Sequence, residues 1–145
     1  MTSVTGNRSV EEILLSEGSY MTLTDGTSMR PLFKTHRDAV VLTPPEGDLR
    51  KYDVVLYRVG DRYVLHRIIK IKGDILVIRG DNTFKKELVP RSSVLARLSS
   101  FNRRGKHGSV EDFGYKLYSR LWNFLYPIRY LFYLVRRALG KIKRA

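Results

Sequence analysis

Three short segments of the sequence hold residues suited to acyl-transfer chemistry. The first is Asp25-Gly-Thr-Ser-Met-Arg-Pro31, where Ser28 stands between flexible Gly26 and chain-fixing Pro31. A nucleophilic serine needs an exposed hydroxyl on a tight turn, beside backbone N–H groups that can hold an oxyanion. Gly-Thr-Ser is also ordinary loop composition. The second segment is Val64-Leu-His-Arg-Ile-Ile69, which sets His66 in an apolar, β-prone run. An imidazole there is either a hydrogen-bonded structural residue or a general base that takes a serine proton near neutral pH. The third is Arg79-Gly-Asp-Asn82, directly after another β-prone run. It reads as a common turn, or as the place from which Asp81 orients an imidazole. The chain has no cysteine, which excludes disulfides, thiolate zinc sites and a cysteine nucleophile. His36 and His107 are too scattered to join His66 in a metal cluster, so neither metal nor cofactor is expected.

The elements that must position these residues are mostly short strands. Ser9-Val-Glu-Glu12 is a capping box, predicting a helix over about 9–17 that Gly18 ends. From Tyr20 the apolar period becomes two. Tyr20–Leu23, Ala39–Thr43, Asp53–Val59, Tyr63–Ile71, Asp74–Arg79 and Val94–Phe101 read as strands. Gly60-Asp61 and Lys72-Gly73 are tight-turn signals, and Pro44-Pro45-Glu46-Gly47 is a loop. Short strands at this spacing predict a mainly β, antiparallel, partly closed domain over 1–101, with its β core over about 20–101. Residues 102–112, rich in Gly, Arg, Lys and Ser, read as a linker. Beyond it the period is helical: Phe113, Leu117, Leu121, Phe124 or Leu125, Ile128, Leu131 or Phe132, Val135, Leu139, Ile142. Pro127 interrupts it, so the tail over 113–145 is expected to be two helical pieces.

In this order the three segments resemble the superfamily of type I signal peptidases and self-cleaving SOS-response repressors. The resemblance runs from about Tyr20 to Phe101, on Ser28-Met-Arg-Pro31, Tyr52-Asp-Val-Val-Leu-Tyr57, Leu65-His-Arg-Ile-Ile69 and Gly80-Asp-Asn82. It implies a signal-peptidase-like β-domain and a serine endopeptidase that cuts a signal or leader peptide. Ser28 is then the nucleophile and His66 the base, at the position where bacterial members carry a lysine. That choice is similar to the branch found in archaea and the endoplasmic reticulum, in which the aspartate matching Asp81 assists. Gly26, Thr27 and Ser28 form the oxyanion turn by the same resemblance, with Met29 and Pro31 next to the substrate. Residues 1–20 lack the apolar core of a signal peptide or N-terminal anchor, and the 27 residues before Ser28 are too few for a DNA-binding helix-turn-helix.

The charge balance adds a second partner. The chain carries 27 Lys and Arg against 14 Asp and Glu, a net charge of +13. Residues 113–145 hold eight of the basic residues and no acidic one. Between Arg120 and Arg136 lie 15 mostly large apolar residues, about 22 Å of helix against a hydrocarbon core of about 30 Å. This predicts a peripheral, interfacial segment on the cytoplasmic face of an anionic membrane rather than a spanning anchor. Trp122, Arg129, Arg136 and Arg137 are the expected interface residues. A helical cap packed on the β-domain is the competing expectation, and nucleic acid is a weaker one. The alternative to an enzyme is a catalytically inactive, peptidase-like membrane-binding module.

Overall fold

The computed structural model describes residues 8–144; residues 1–7 and 145, which the expected domain boundaries include, lie outside the described residues. Helix α1 (Val10–Glu17) starts at its capping box: the Glu12 N–H donates to Ser9 Oγ at 3.2 Å, and the Ser9 N–H donates to the Glu12 carboxylate at 3.0 Å. Gly18 closes it in the left-handed conformation. Val10, Ile13 and Leu14 are its buried face.

Among the described residues, eight strands follow: β1 (Tyr20–Leu23), β2 (Ala39–Thr43), β3 (Val54–Val59), β4 (Arg62–Lys72), β5 (Ile75–Arg79), β6 (Glu87–Pro90), β7 (Val94–Arg103) and β8 (Lys106–Ser109). They form one antiparallel sheet in the order β1-β2-β7-β3-β4-β5-β6, with β8 added to β7. The fold is mainly antiparallel β with three helices. The sheet is open rather than partly closed, because the two four-residue end strands, β1 and β6, each pair on one side only.

β3 is buried on both faces. Val54 and Leu56 join α1, Met29, Leu32 and Phe33 in one core. Val55 and Tyr57 join Ile68, Leu76, Ile78 and Val89 in the other. In β4, His66 stands opposite Val55 and Val64 opposite Tyr57, which puts the Tyr57 and His66 side chains on one face, diagonal to each other.

The expected linker at 102–112 is not one. β7 runs on to Arg103, turns through Arg104-Gly105 and returns as β8. Arg104 (φ 54°) and Gly105 (φ 78°) are both left-handed, as a two-residue hairpin turn of this twist requires. Its polar composition is that of a solvent-facing hairpin. The Phe101 ring occupies the space a Cβ on Gly108 would need, which keeps that position glycine.

The tail forms two helices, α2 (Phe113–Phe124) and α3 (Tyr126–Arg144), broken at Leu125 with Pro127 in the first turn of α3. No helix among the described residues is long and apolar enough to cross a membrane. Tyr115 and Tyr118 pack against the first core. The Phe84 ring meets Tyr126, Tyr130 and Tyr133 at centroid distances of 5.9, 5.6 and 4.5 Å.

Candidate active site

Ser28 lies on the loop between β1 and β2. The loop is pinned at its base, where the Thr24 N–H donates to the Asp38 carbonyl at 2.9 Å and Thr24 Oγ1 donates to the Lys34 carbonyl at 2.9 Å. The buried Asp38 carboxylate accepts from the Lys34 and Arg104 N–H groups and from the Arg37 guanidinium. Burial works to raise its pKa, but these donors outweigh it and hold the group at about 2. Met29, Leu32 and Phe33 sink into the core and leave Ser28 half-buried above them. Asn82 clamps the turn: its N–H donates to the Ser28 carbonyl at 2.8 Å and its amide donates to the Thr27 carbonyl at 3.1 Å.

Of the expected oxyanion group, Gly26 supplies conformation rather than a donor. Its φ of 81° suits glycine, and its N–H is occupied by Asp25 Oδ1 at 2.9 Å. The Thr27 and Ser28 N–H groups have no partner among the described residues and can receive an oxyanion. Of the two residues expected next to the substrate, Met29 lines the cleft beside Ser28. Pro31 is exposed and lies outside the cleft lining.

The cleft encloses about 720 Å³ between the Thr24–Met29 loop and the first five residues of β4, and both Ser28 and His66 line it. The two converge beside Gly80. A Cβ there would stand 2.7 Å from the Ser28 carbonyl oxygen and 3.1 Å from His66 Nε2. Ser28 Oγ makes no hydrogen bond to the described residues.

The other imidazole nitrogen is tied. Tyr57 Oη lies 3.2 Å from His66 Nδ1 and donates its own proton to the Glu87 carboxylate in a short hydrogen bond. With that proton committed, Tyr57 can only accept from His66. Nδ1 therefore carries the imidazole hydrogen, and Nε2 is left as the proton acceptor on the Ser28 side. Burial and the Glu87 carboxylate push the Tyr57 pKa far above its usual value, so the hydroxyl keeps its proton. Burial lowers the His66 pKa, and the carboxylates of Glu87 and Asp81 pull it partly back.

Asp81 does not take the expected place on the imidazole. Its carboxylate accepts from Arg67 Nε and Nη2 at 2.8 and 2.9 Å and from Tyr118 Oη at 2.9 Å, and makes no hydrogen bond to His66. Arg67 is fully buried, and its remaining donors reach the Tyr52 carbonyl, Ser119 Oγ and Tyr115 Oη. A guanidinium with no access to water takes the nearest carboxylate. Two of the expected membrane-interface residues are likewise used within the molecule. Trp122 Nε1 and Arg129 Nη1 donate to the Asp81 carbonyl at 2.8 and 3.1 Å, with the Arg129 guanidinium over the Trp122 ring. Arg136 and Arg137 are exposed.

Tyr57, Glu87 and Arg67 carry no roles in the sequence reading. Tyr57 and Arg67 sit inside the segments that carry the resemblance, but a cross-strand contact over 30 residues, such as Tyr57 to Glu87, leaves no local pattern. The sequence matches no protein-family model and no curated protein.

Proposed function

We propose that this chain is a serine endopeptidase of signal-peptidase-like type that cuts a signal or leader peptide. The observation that carries this reading is the convergence of the Ser28 turn and His66 Nε2 beside Gly80, with Nδ1 held by a hydrogen-bonded tyrosine. Ser28 Oγ attacks the peptide carbonyl as His66 Nε2 takes its proton, and the Thr27 and Ser28 N–H groups receive the oxyanion. The imidazolium then protonates the leaving amine, which departs and leaves an acyl-serine. Water, deprotonated by His66, hydrolyses that ester and restores the hydroxyl. Tyr57 and Glu87 position the ring and balance its transient charge.

The substrate runs as an extended strand. β5 joins β4 only from Arg67 onward, so the Arg62–His66 edge is paired with β3 alone and faces the cleft. A peptide laid there would bond to the backbone along β4. Met29, Phe33 and Leu65 give that cleft apolar walls, compatible with the small residues implied before the cut bond.

The test is labelling by a fluorophosphonate together with cleavage of a leader-peptide library read by mass spectrometry. Wild-type protein should label and cut, and Ser28→Ala should do neither while keeping its circular dichroism spectrum. Equal cutting by both proteins overturns the proposal. Wild-type protein that neither labels nor cuts would also overturn it, in favour of the inactive membrane-binding module.

A further inference from the structure

The two C-terminal helices have one docked side and one bare side. The docked side is polar and aromatic: Tyr118, Trp122, Tyr126 and Arg129 all donate hydrogen bonds to the Asp81–Phe84 loop. The bare side is the apolar stripe from Phe113 to Ile142. It stays exposed along its length, with Phe113 at 79%, Phe132 at 65% and Ile142 at 69% of full exposure. A contiguous apolar surface of this length marks an interaction site rather than ordinary surface scatter.

The charges beside the stripe say what covers it. Arg136 and Lys143 follow stripe residues Val135 and Ile142, which places them about 100° round the helix, at the stripe's flank. Together with Arg137, Lys141 and Arg144 they have no carboxylate partner among the described residues. A second copy of this chain would meet the stripe with an equally cationic helix, setting like charges face to face. An anionic lipid surface matches both features: the headgroup–acyl boundary accepts the stripe, and lipid phosphates accept the flanking cations.

We propose that α2 and α3 lie in the plane of an anionic membrane, stripe inward and without crossing it. The docked side fixes the rest of the domain to that surface. Through the Asp81 carbonyl the helices hold the segment whose next residue, Asn82, bonds to the Ser28 carbonyl. The cleft is thereby carried at a set position relative to the lipid. The docking itself does not depend on the chemistry at Ser28.

The experiment is co-sedimentation of the full chain with vesicles of phosphatidylglycerol and phosphatidylcholine, against phosphatidylcholine alone. Binding should require the anionic lipid and weaken as salt rises. At about 1 kcal/mol, or about fivefold, per cation, Arg136→Gln/Lys143→Gln should lose about 25-fold in affinity. Phe132→Ser/Leu139→Ser should also lose most binding with an unchanged circular dichroism spectrum. Ser28→Ala should bind as wild type, whichever way the peptidase test falls. Failure of the full chain to bind anionic vesicles, or wild-type binding by the cation variant, overturns the proposal. A dimer in light scattering that the stripe variant abolishes would assign the stripe to a second copy and overturn it equally.

Discussion

Replacing Tyr57 with phenylalanine removes one hydroxyl and leaves the packing in place. The ring is 1% exposed among Val55, Ile68, Leu76 and Ile78, and phenylalanine fills the same space. Lost are the acceptor for the His66 Nδ1 hydrogen and the link from the ring to Glu87. With a neutral imidazole this is an ordinary buried hydrogen bond. In the transition state the ring is an imidazolium, and the bond becomes charge-assisted, worth about 1.5–3 kcal/mol. Only the gain over the neutral ground-state bond, about 0.5–2 kcal/mol, affects the chemical step, so kcat should fall by roughly 2- to 30-fold. Tyr57 does not line the cleft, so KM should change little.

The pH profile separates this role from a merely structural one. His66 must be neutral to act as a base, so activity appears as pH rises through its pKa. Burial lowers that pKa, and Glu87 raises it in part. Glu87→Gln removes the raising influence, so its acidic limb should move to lower pH while the plateau falls. The assay is kcat and KM on a cleavable leader peptide from about pH 5 to 8, with circular dichroism as the check on folding. A folded Tyr57→Phe protein with wild-type kcat would refute the Tyr57–Glu87 link as the positioning device.

Asp81→Asn should act first on stability, because it strands the fully buried Arg67 without its counter-ion: a loss of about 3–5 kcal/mol, read as a fall in Tm on the order of 10–20 °C. An Asp81→Asn protein of normal Tm with a selective loss of kcat would return the orienting role to Asp81. Gly80→Ala places a methyl 2.7 Å from the Ser28 carbonyl oxygen, a backbone atom that must move, and 3.1 Å from His66 Nε2. A displacement of about 1 Å between nucleophile and base can lower kcat about 100-fold; unchanged turnover would mean that the serine and histidine do not work as a pair.

The sequence makes legible what is encoded locally. The Ser9–Glu12 box places α1, and the Ser-Met-x-Pro turn and the strand carrying His66 stand where their residue types predict. Partner choice is not local. Asp81 sits within reach of both a histidine and an arginine, and the decision falls to burial: Arg67 has no water, so it takes the carboxylate. β3 reads as a strand, but with both faces buried its alternation does not say which side Tyr57 faces. β8 escapes because Arg104 stands at a left-handed turn position where asparagine or glycine is the usual signal. β6 escapes because it is only four residues long, follows Lys85-Lys86 and ends on Pro90, a composition suited to an edge strand.

The tail shows why a correct period can still leave the docking side unread. Its apolar stripe is the obvious face to bury, yet the helices dock by their other side. There the domain presents carbonyls, the Asp81 carboxylate, the guanidinium of Arg79 and the rings of Phe84 and Phe101. The helices meet that surface with rings and donors: Tyr126 lies under Arg79 at 3.5 Å, and Trp122 under Arg129 at 4.1 Å. Asn123 accepts from Arg79 at 3.1 Å. Three arginines, Arg67, Arg79 and Arg129, thus gather round the carboxylate of Asp81, and all three lie over aromatic faces. Nε and Nη2 of Arg129 are buried with no hydrogen-bond partner among the described residues. Each cation–π contact contributes about 0.5–2 kcal/mol and each neutral hydrogen bond about 1 kcal/mol, so several together hold the helices without any leucine from the stripe. The tail brings no acidic residue, and neutral donors and aromatic faces serve it instead. So docked, it keeps its apolar side turned outward, which is the arrangement an interfacial helix needs.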